Sequence, residues 1–211
     1  SQAETAAAPT ATDLFVSEYG EGPSGTASWG KYLEIANFTG ADVSLDGYLL
    51  GGITNGGDAY EKFVSFTAGT TLANGEVWVI GRAENGDGSP ESLYGQIDQV
   101  SGDISHNGDD SYILYKKAAA EDAPSQTATV VDVFGDQQGD PGSDWTACGD
   151  TAASSESVMI KKATKAGTDS WTTSAGTDAT DCWWEITKIS DQDAHDYATV
   201  GSHTFTGEST D

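Results

Sequence analysis

The chain has 211 residues, and its 34 Asp and Glu stand against nine Lys and Arg, a formal net charge of −25. A surface that negative repels phosphate backbones, whose affinity for proteins comes largely from cations that release condensed counterions, and it lacks the basic segments that anionic membranes recruit. Direct nucleic-acid binding is therefore not expected, nor is membrane insertion, while 36% hydrophobic residues with six Trp, eight Tyr and six Phe exclude a disordered acidic tail.

Residues 1–12 are small and Pro-containing and read as a flexible leader, without the basic-then-apolar pattern of a signal peptide. Strand signals follow at short intervals. Residues 14–19 alternate and meet the turn Gly20, Glu21, Gly22, Pro23. Residues 32–37 put Leu33 and Ile35 on one face and Tyr32 and Glu34 on the other. Further runs lie at 47–50, 62–66, 76–80, 111–115, 130–134, 157–160 and 183–186, with turn residues such as Asn74-Gly75 and Gly135 between them. Short β-rich runs with turn punctuation, in a chain carrying 26 Gly, are the pattern of a sandwich or barrel. A helical turn or two is expected only at 118–123 and 191–197. No repeat and no linker divides the chain, which reads as one all-β domain over 13–206 with a short tail at 207–211.

No run approaches the roughly 20 apolar residues that span a bilayer. Two cysteines, Cys148 and Cys182, flank a Gly/Ser/Thr/Asp-rich region. A disulfide there would close a loop of about 35 residues, stabilise by on the order of 3–4 kcal/mol in the chain-entropy model, and fit an exported protein. Two independent thiols are the alternative. Zinc-type cysteine spacing is absent.

The order of these pieces resembles the lamin-tail domain of the type attached to secreted bacterial nucleases and other exported proteins. The matching stretches are residues 14–22, 31–40, 45–48, 71–76, 107–110, 131–135, 140–145 and 200–204. The resemblance implies an immunoglobulin-like β-sandwich, here with elaborated acidic loops at 57–62 and 84–104 and between the cysteines. It also implies an accessory module without shared catalytic residues.

The three histidines, His106, His195 and His203, lie beside turn-like sequence, and no Gly-x-Ser-x-Gly signature accompanies them. A metal-dependent nuclease needs cationic groups to hold phosphate, and Lys161, Lys162 and Lys165 form the only local cluster. Calcium is a better match, because it takes six to eight oxygens from carboxylates, carbonyls and water. Residues 85–89 imitate the first half of an EF-hand loop but fail at Pro90 and Gln96. The remaining candidate ligands are Asp136, Asp140 and Asp144 on a Gly/Pro loop, Asp109 and Asp110 at a turn, and Glu18, Glu21 and Glu34 in the first hairpin. For each group the alternative is a solvated acidic loop or an Asx-turn.

Of Trp29, Trp78, Trp145, Trp171, Trp183 and Trp184, most are expected in the core. Strand alternation turns one of Trp183 and Trp184 inward and the other outward, which makes the outward ring a candidate sugar- or partner-binding group. The whole reads as a secreted or cell-surface bacterial domain in saline surroundings, serving a larger protein in adhesion, targeting or assembly. Its partner would be a catalytic domain of the same parent, such as a nuclease. The alternative is a calcium-stabilised module that binds glycans or the cell surface.

Overall fold

In the computed structural model, residues 8–23, 30–82, 90–117, 128–189 and 197–208 are described. Alternating apolar residues build twelve strands among them: β1 (Phe15–Gly20), β2 (Tyr32–Ala36), β3 (Val43–Ser44), β4 (Tyr48–Ile53), β5 (Lys62–Ser65), β6 (Thr71–Leu72), β7 (Val77–Gly81), β8 (Gln99–Val100), β9 (Ser111–Lys116), β10 (Thr129–Phe134), β11 (Ser157–Lys161) and β12 (Trp184–Lys188). One sheet has six strands in the order β12-β11-β1-β2-β7-β8, the other four in the order β10-β9-β4-β5, and β3 pairs with β6. All pairings are antiparallel except β7 with β8. Each of the nine expected runs forms a strand. The fold is the expected all-β sandwich.

The core lies between the two sheets. Val16, Tyr19, Leu33, Ile35, Met159 and Trp184 from the larger sheet meet Leu50, Val64, Leu114 and Phe134 from the smaller. Tyr19 stacks on Phe134 with centroids 4.0 Å apart. Two short helices, α1 (Glu91–Tyr94) and α2 (Trp171–Ala175), stand where none was expected. Ser170 caps α2 by accepting the Thr173 N–H. The expected helical turn at 118–123 lies outside the described residues, as does nearly all of the one at 191–197.

The outer face of the six-stranded sheet is also roofed. Tyr197 and Val200 pack on Tyr32, Val79, Leu93 and Val158, and Phe205 packs on Phe15, Ala36 and Ala166. Residues 197–205 therefore run across a face that strand alternation alone would leave to solvent. Every residue of β1 and β2 is consequently buried, polar ones included. The packed chain begins before residue 13: Ala11 is buried, and its N–H donates to the Phe38 carbonyl. Cys148 and Cys182 form a disulfide with Cα atoms 5.0 Å apart, which ties the 147–150 turn to the start of β12.

A buried ion pair joins the sheets. Lys161 at the end of β11 reaches Asp132 of β10 at 2.5 Å, with both side chains wholly buried. Asp132 also accepts the N–H groups of Val16 and Thr168. The Lys161 ammonium lies 5.0 Å from the Trp184 ring centroid and 5.6 Å from that of Phe15. Nothing in local sequence marks this pair, whose members are 29 residues apart.

Candidate functional site

The ends of β1, β4 and β10 and the starts of β9 and β11 bring together acids that lie in three separate stretches of sequence. Gly56 (φ +64°) permits the closest approach of the 136–144 loop: a Cβ there would lie 2.5 Å from the Asp140 Cα. Gly108 (φ +113°) sits so near Asp144 that a Cβ would collide with Asp144 Oδ1. The same loop is anchored by Trp145, whose N–H donates to Ser154 Oγ at 2.8 Å and whose indole N–H donates to the Asp110 carbonyl at 3.0 Å.

Within this cluster most acids have fold partners. Asp110 accepts the Asn55 N–H and the Lys62 ammonium, at 3.0 and 3.1 Å. Glu21 takes Lys31 at 3.4 Å and the Glu156 N–H at 2.9 Å; burial still raises its carboxyl, and Asp144 adds to the rise. Asp140 accepts the Gly142 N–H in an Asx-turn. Asp109 differs: it is 8% exposed, and its Oδ1 is buried without a hydrogen-bond partner. Burial raises its carboxyl, with Asp110, Asp144 and Asp140 adding to the effect. Asp136 stands apart, bonded to the Gln138 N–H beside a groove of about 270 Å³ that Asp169 and Trp171 also line. Among the described residues, no three His, Cys, Asp or Glu are placed to hold a metal ion by themselves.

Glu18 and Glu34 form a second acidic site, under the 197–205 roof. They are directly opposed across β1 and β2, just past a bulge at Ser17. Glu18 Oε1 accepts the Tyr32 hydroxyl at 2.5 Å and the Thr199 hydroxyl at 3.0 Å. Glu34 accepts the Ser17 hydroxyl at 2.7 Å and the Gly201 N–H at 2.8 Å. No cation is paired with either among the described residues. Burial pushes Glu18 up to about 7, against the Tyr32 and Thr199 hydrogen bonds that lower it. It pushes Glu34 up to about 8, and the neighbouring Glu18 adds to that rise. Burial thus favours the protonated form of both carboxyls. Gly20 makes the arrangement possible, because the Tyr32 ring lies where its side chain would be.

His106 is fully buried, with Nε2 2.6 Å from the Gly20 carbonyl and Nδ1 3.2 Å from the Tyr112 hydroxyl. A carbonyl only accepts, so Nε2 carries the proton, and burial holds the ring neutral. His203 packs edge-on to Phe15 and Phe38 and is pushed down to about 4 by burial, with Lys161 contributing. His195 and Trp29 lie outside the described residues, as do residues 85–89.

The lysine cluster does not act together. Lys161 is spent on Asp132, Lys162 donates to the Ala179 and Cys182 carbonyls, and Lys165 lies over the Trp183 ring at 5.4 Å. Lys31, Lys62, Lys116 and Lys188 are also in ion pairs, so five of the nine cations are committed. Trp184 is the inward ring at 2% exposure, and Trp183 is half-buried at the core's edge.

The Lamin Tail Domain family matches residues 7–138, more than half of the chain. Residues beyond 138 continue the same architecture, since β11 and β12 extend the sheet that contains β1. The chain is also similar to a DUF4876 family protein of solved structure from Bacteroides thetaiotaomicron. That similarity covers 85% of this chain and 69% of the other, at 12% identity and a TM-score of 0.47. No curated protein matches. The chain belongs to the lamin tail domain family, a family of non-catalytic immunoglobulin-like domains.

Proposed function

We propose that this domain is a non-catalytic accessory module of an exported bacterial protein, serving adhesion, targeting or assembly beside a catalytic domain such as a nuclease. The observation that carries the reading is the fate of the ionisable groups. Glu18, Glu34, His106, Asp132 and Lys161, which an active site would expose to substrate, are buried and bonded to neighbouring parts of the fold. A phosphoryl clamp needs several cations aimed at one point, and the lysines here are dispersed into ion pairs and carbonyl caps. The disulfide suits an oxidising compartment.

The test is a turnover assay of the purified chain on DNA, RNA and simple phosphoesters with added divalent metals. No turnover above background is expected. Metal-dependent turnover that a single carboxylate substitution abolishes contradicts the reading.

A second reading rests on Trp183, a half-buried ring with an ammonium stacked on it. Aromatic faces bordered by polar groups stack on sugars, so a glycan array with Trp183→Ala as the control tests a glycan-binding or cell-surface role. Hits that vanish with Trp183→Ala favour it, and a blank array removes it.

A further inference from the structure

We propose that the acidic loop cluster around Asp109 is a calcium site, in which Asp109 and Asp144 meet one ion together with main-chain carbonyls. The proposal is independent of whether the domain is catalytic. Its starting point is an unmet demand. Asp109 is more than nine-tenths buried, its Oδ1 has no donor, and the hydrogen bond that favours its charge is to its own N–H. A buried carboxylate oxygen without a donor costs on the order of 1–3 kcal/mol or more.

The surroundings sharpen that demand. The neighbouring charges that raise the Asp109 carboxyl are those of Asp110, Asp144 and Asp140, all acids. The one ammonium bonded nearby, on Lys62, is taken by Asp110. Lys31 is taken by Glu21. Two strands and a loop thus deliver negative charge to one place, where no ammonium among the described residues is bonded to Asp109 or Asp144, and the glycines that permit this approach also hold the positive φ of their turns. Gly108 in particular lets both Asp144 Oδ1 and the Ser143 carbonyl crowd against the 108–109 turn; the carbonyl lies 2.9 Å from where a Cβ would stand.

The donor set selects the ion. Side chains alone do not complete a shell here, so a metal that demands thiolate or imidazole finds no site. Calcium accepts carboxylate, carbonyl and water oxygens in variable geometry at 2.3–2.6 Å and tolerates a shell closed by loop carbonyls. The Ser143 carbonyl and the Asp109 and Asp144 carboxylates are oxygens of that kind, on loops that can draw in around an ion.

The experiment compares melting temperatures of the wild type, Asp109→Asn and Asp144→Asn in chelator, in calcium, and in sodium chloride of matched ionic strength. For the wild type, a calcium-specific rise of roughly 5–10 °C is expected at about a hundredfold excess over the dissociation constant. Asp109→Asn removes the uncompensated charge, so in chelator it should melt at or above the wild type, and in calcium below it. That reversal of order is the signature of a site. The proposal is overturned if calcium does no more than matched sodium chloride, or if Asp109→Asn keeps the full calcium response. Should a variant fail to fold, calorimetric titration of the wild type decides: saturation near one ion per chain supports the site, and the absence of saturable heat overturns it.

Discussion

Glu18 and Glu34 face each other across β1 and β2 beneath residues 197–201, and each carboxyl accepts one bond from that overlying segment, from the Thr199 hydroxyl and the Gly201 N–H respectively. Two acids in one buried site are tolerable when protonated and unfavourable when both ionise. The pair therefore links the state of two protons to the docking of the roof.

Stability should follow that linkage. Both carboxyls have folded values of about 7 and about 8, above the ordinary 4.5. The folded state then binds more protons than the unfolded one between those limits, so the pair's contribution is full below about 4.5 and is lost as pH rises through 7 to 8. The slope is up to about 1.4 kcal/mol per pH unit for each extra proton held. His106 and His203, held neutral, act in the opposite sense below their ordinary 6.5. Chemical denaturation of the wild type and Glu34→Gln across pH 5 to 9 isolates the acid pair: the variant should lose much of the alkaline decline. An unchanged profile would show that Glu34 is not protonated in the fold.

Tyr32 depends on the absence of a side chain at Gly20. Gly20→Ala should force the ring off its site and strip Glu18 of the 2.5 Å hydroxyl bond, costing about 1–3 kcal/mol for overpacking. Tyr32→Phe, which keeps the ring and removes only the hydroxyl, should cost about 0.5–1.5 kcal/mol, because Glu18 Oε1 keeps the Thr199 hydroxyl as a donor. Equilibrium unfolding of both variants checks this. If Gly20→Ala is neutral, the packing of Tyr32 over residue 20 is wrong.

The Asp132–Lys161 pair should be asymmetric. Asp132→Ala leaves a buried ammonium and orphans the N–H groups of Val16 and Thr168. It should cost at least the 3–5 kcal/mol or so typical of a broken buried pair. Lys161→Met leaves a carboxyl that still has two N–H donors and can take up a proton, so its cost should be smaller. Measured unfolding free energies in the reverse order would contradict the assignment of Asp132 as the hub between the sheets.

Removing the disulfide by Cys148→Ser with Cys182→Ser should lower stability by about 2–5 kcal/mol. Reductant should lower the melting temperature of the wild type toward that of the double variant and leave the variant unchanged.

Much of the fold was written in local alternation. Val16, Leu33 and Ile35 mark the core face of the first hairpin, and the runs around Trp78, Tyr112 and Met159 are as plain. The two-residue strands β3, β6 and β8 carry no such pattern, because docking of their loops rather than periodicity pairs them. Alternation also put Glu34 opposite Leu33 and Ile35, but what covers that opposite face lies far along the chain: Gly201 is 167 residues from Glu34. Three groups of acids looked like separate candidates, and only the fold brings Glu21, Asp109 and Asp144 to one end of the sandwich. Conversely Lys161, Lys162 and Lys165, clustered in sequence, are sent by the end of β11 to the core, to a carbonyl cap and to the Trp183 ring.

Whether these acids are committed to the fold is most directly measured by carbon-detected NMR titration of the Glu18 and Glu34 carboxyls in the intact chain. Midpoints near 7 and near 8, unmoved by calcium, are predicted. Midpoints near the ordinary 4.5 for both, or ionisation driven by added calcium, would contradict it and return the pair to the pool of ligand sites.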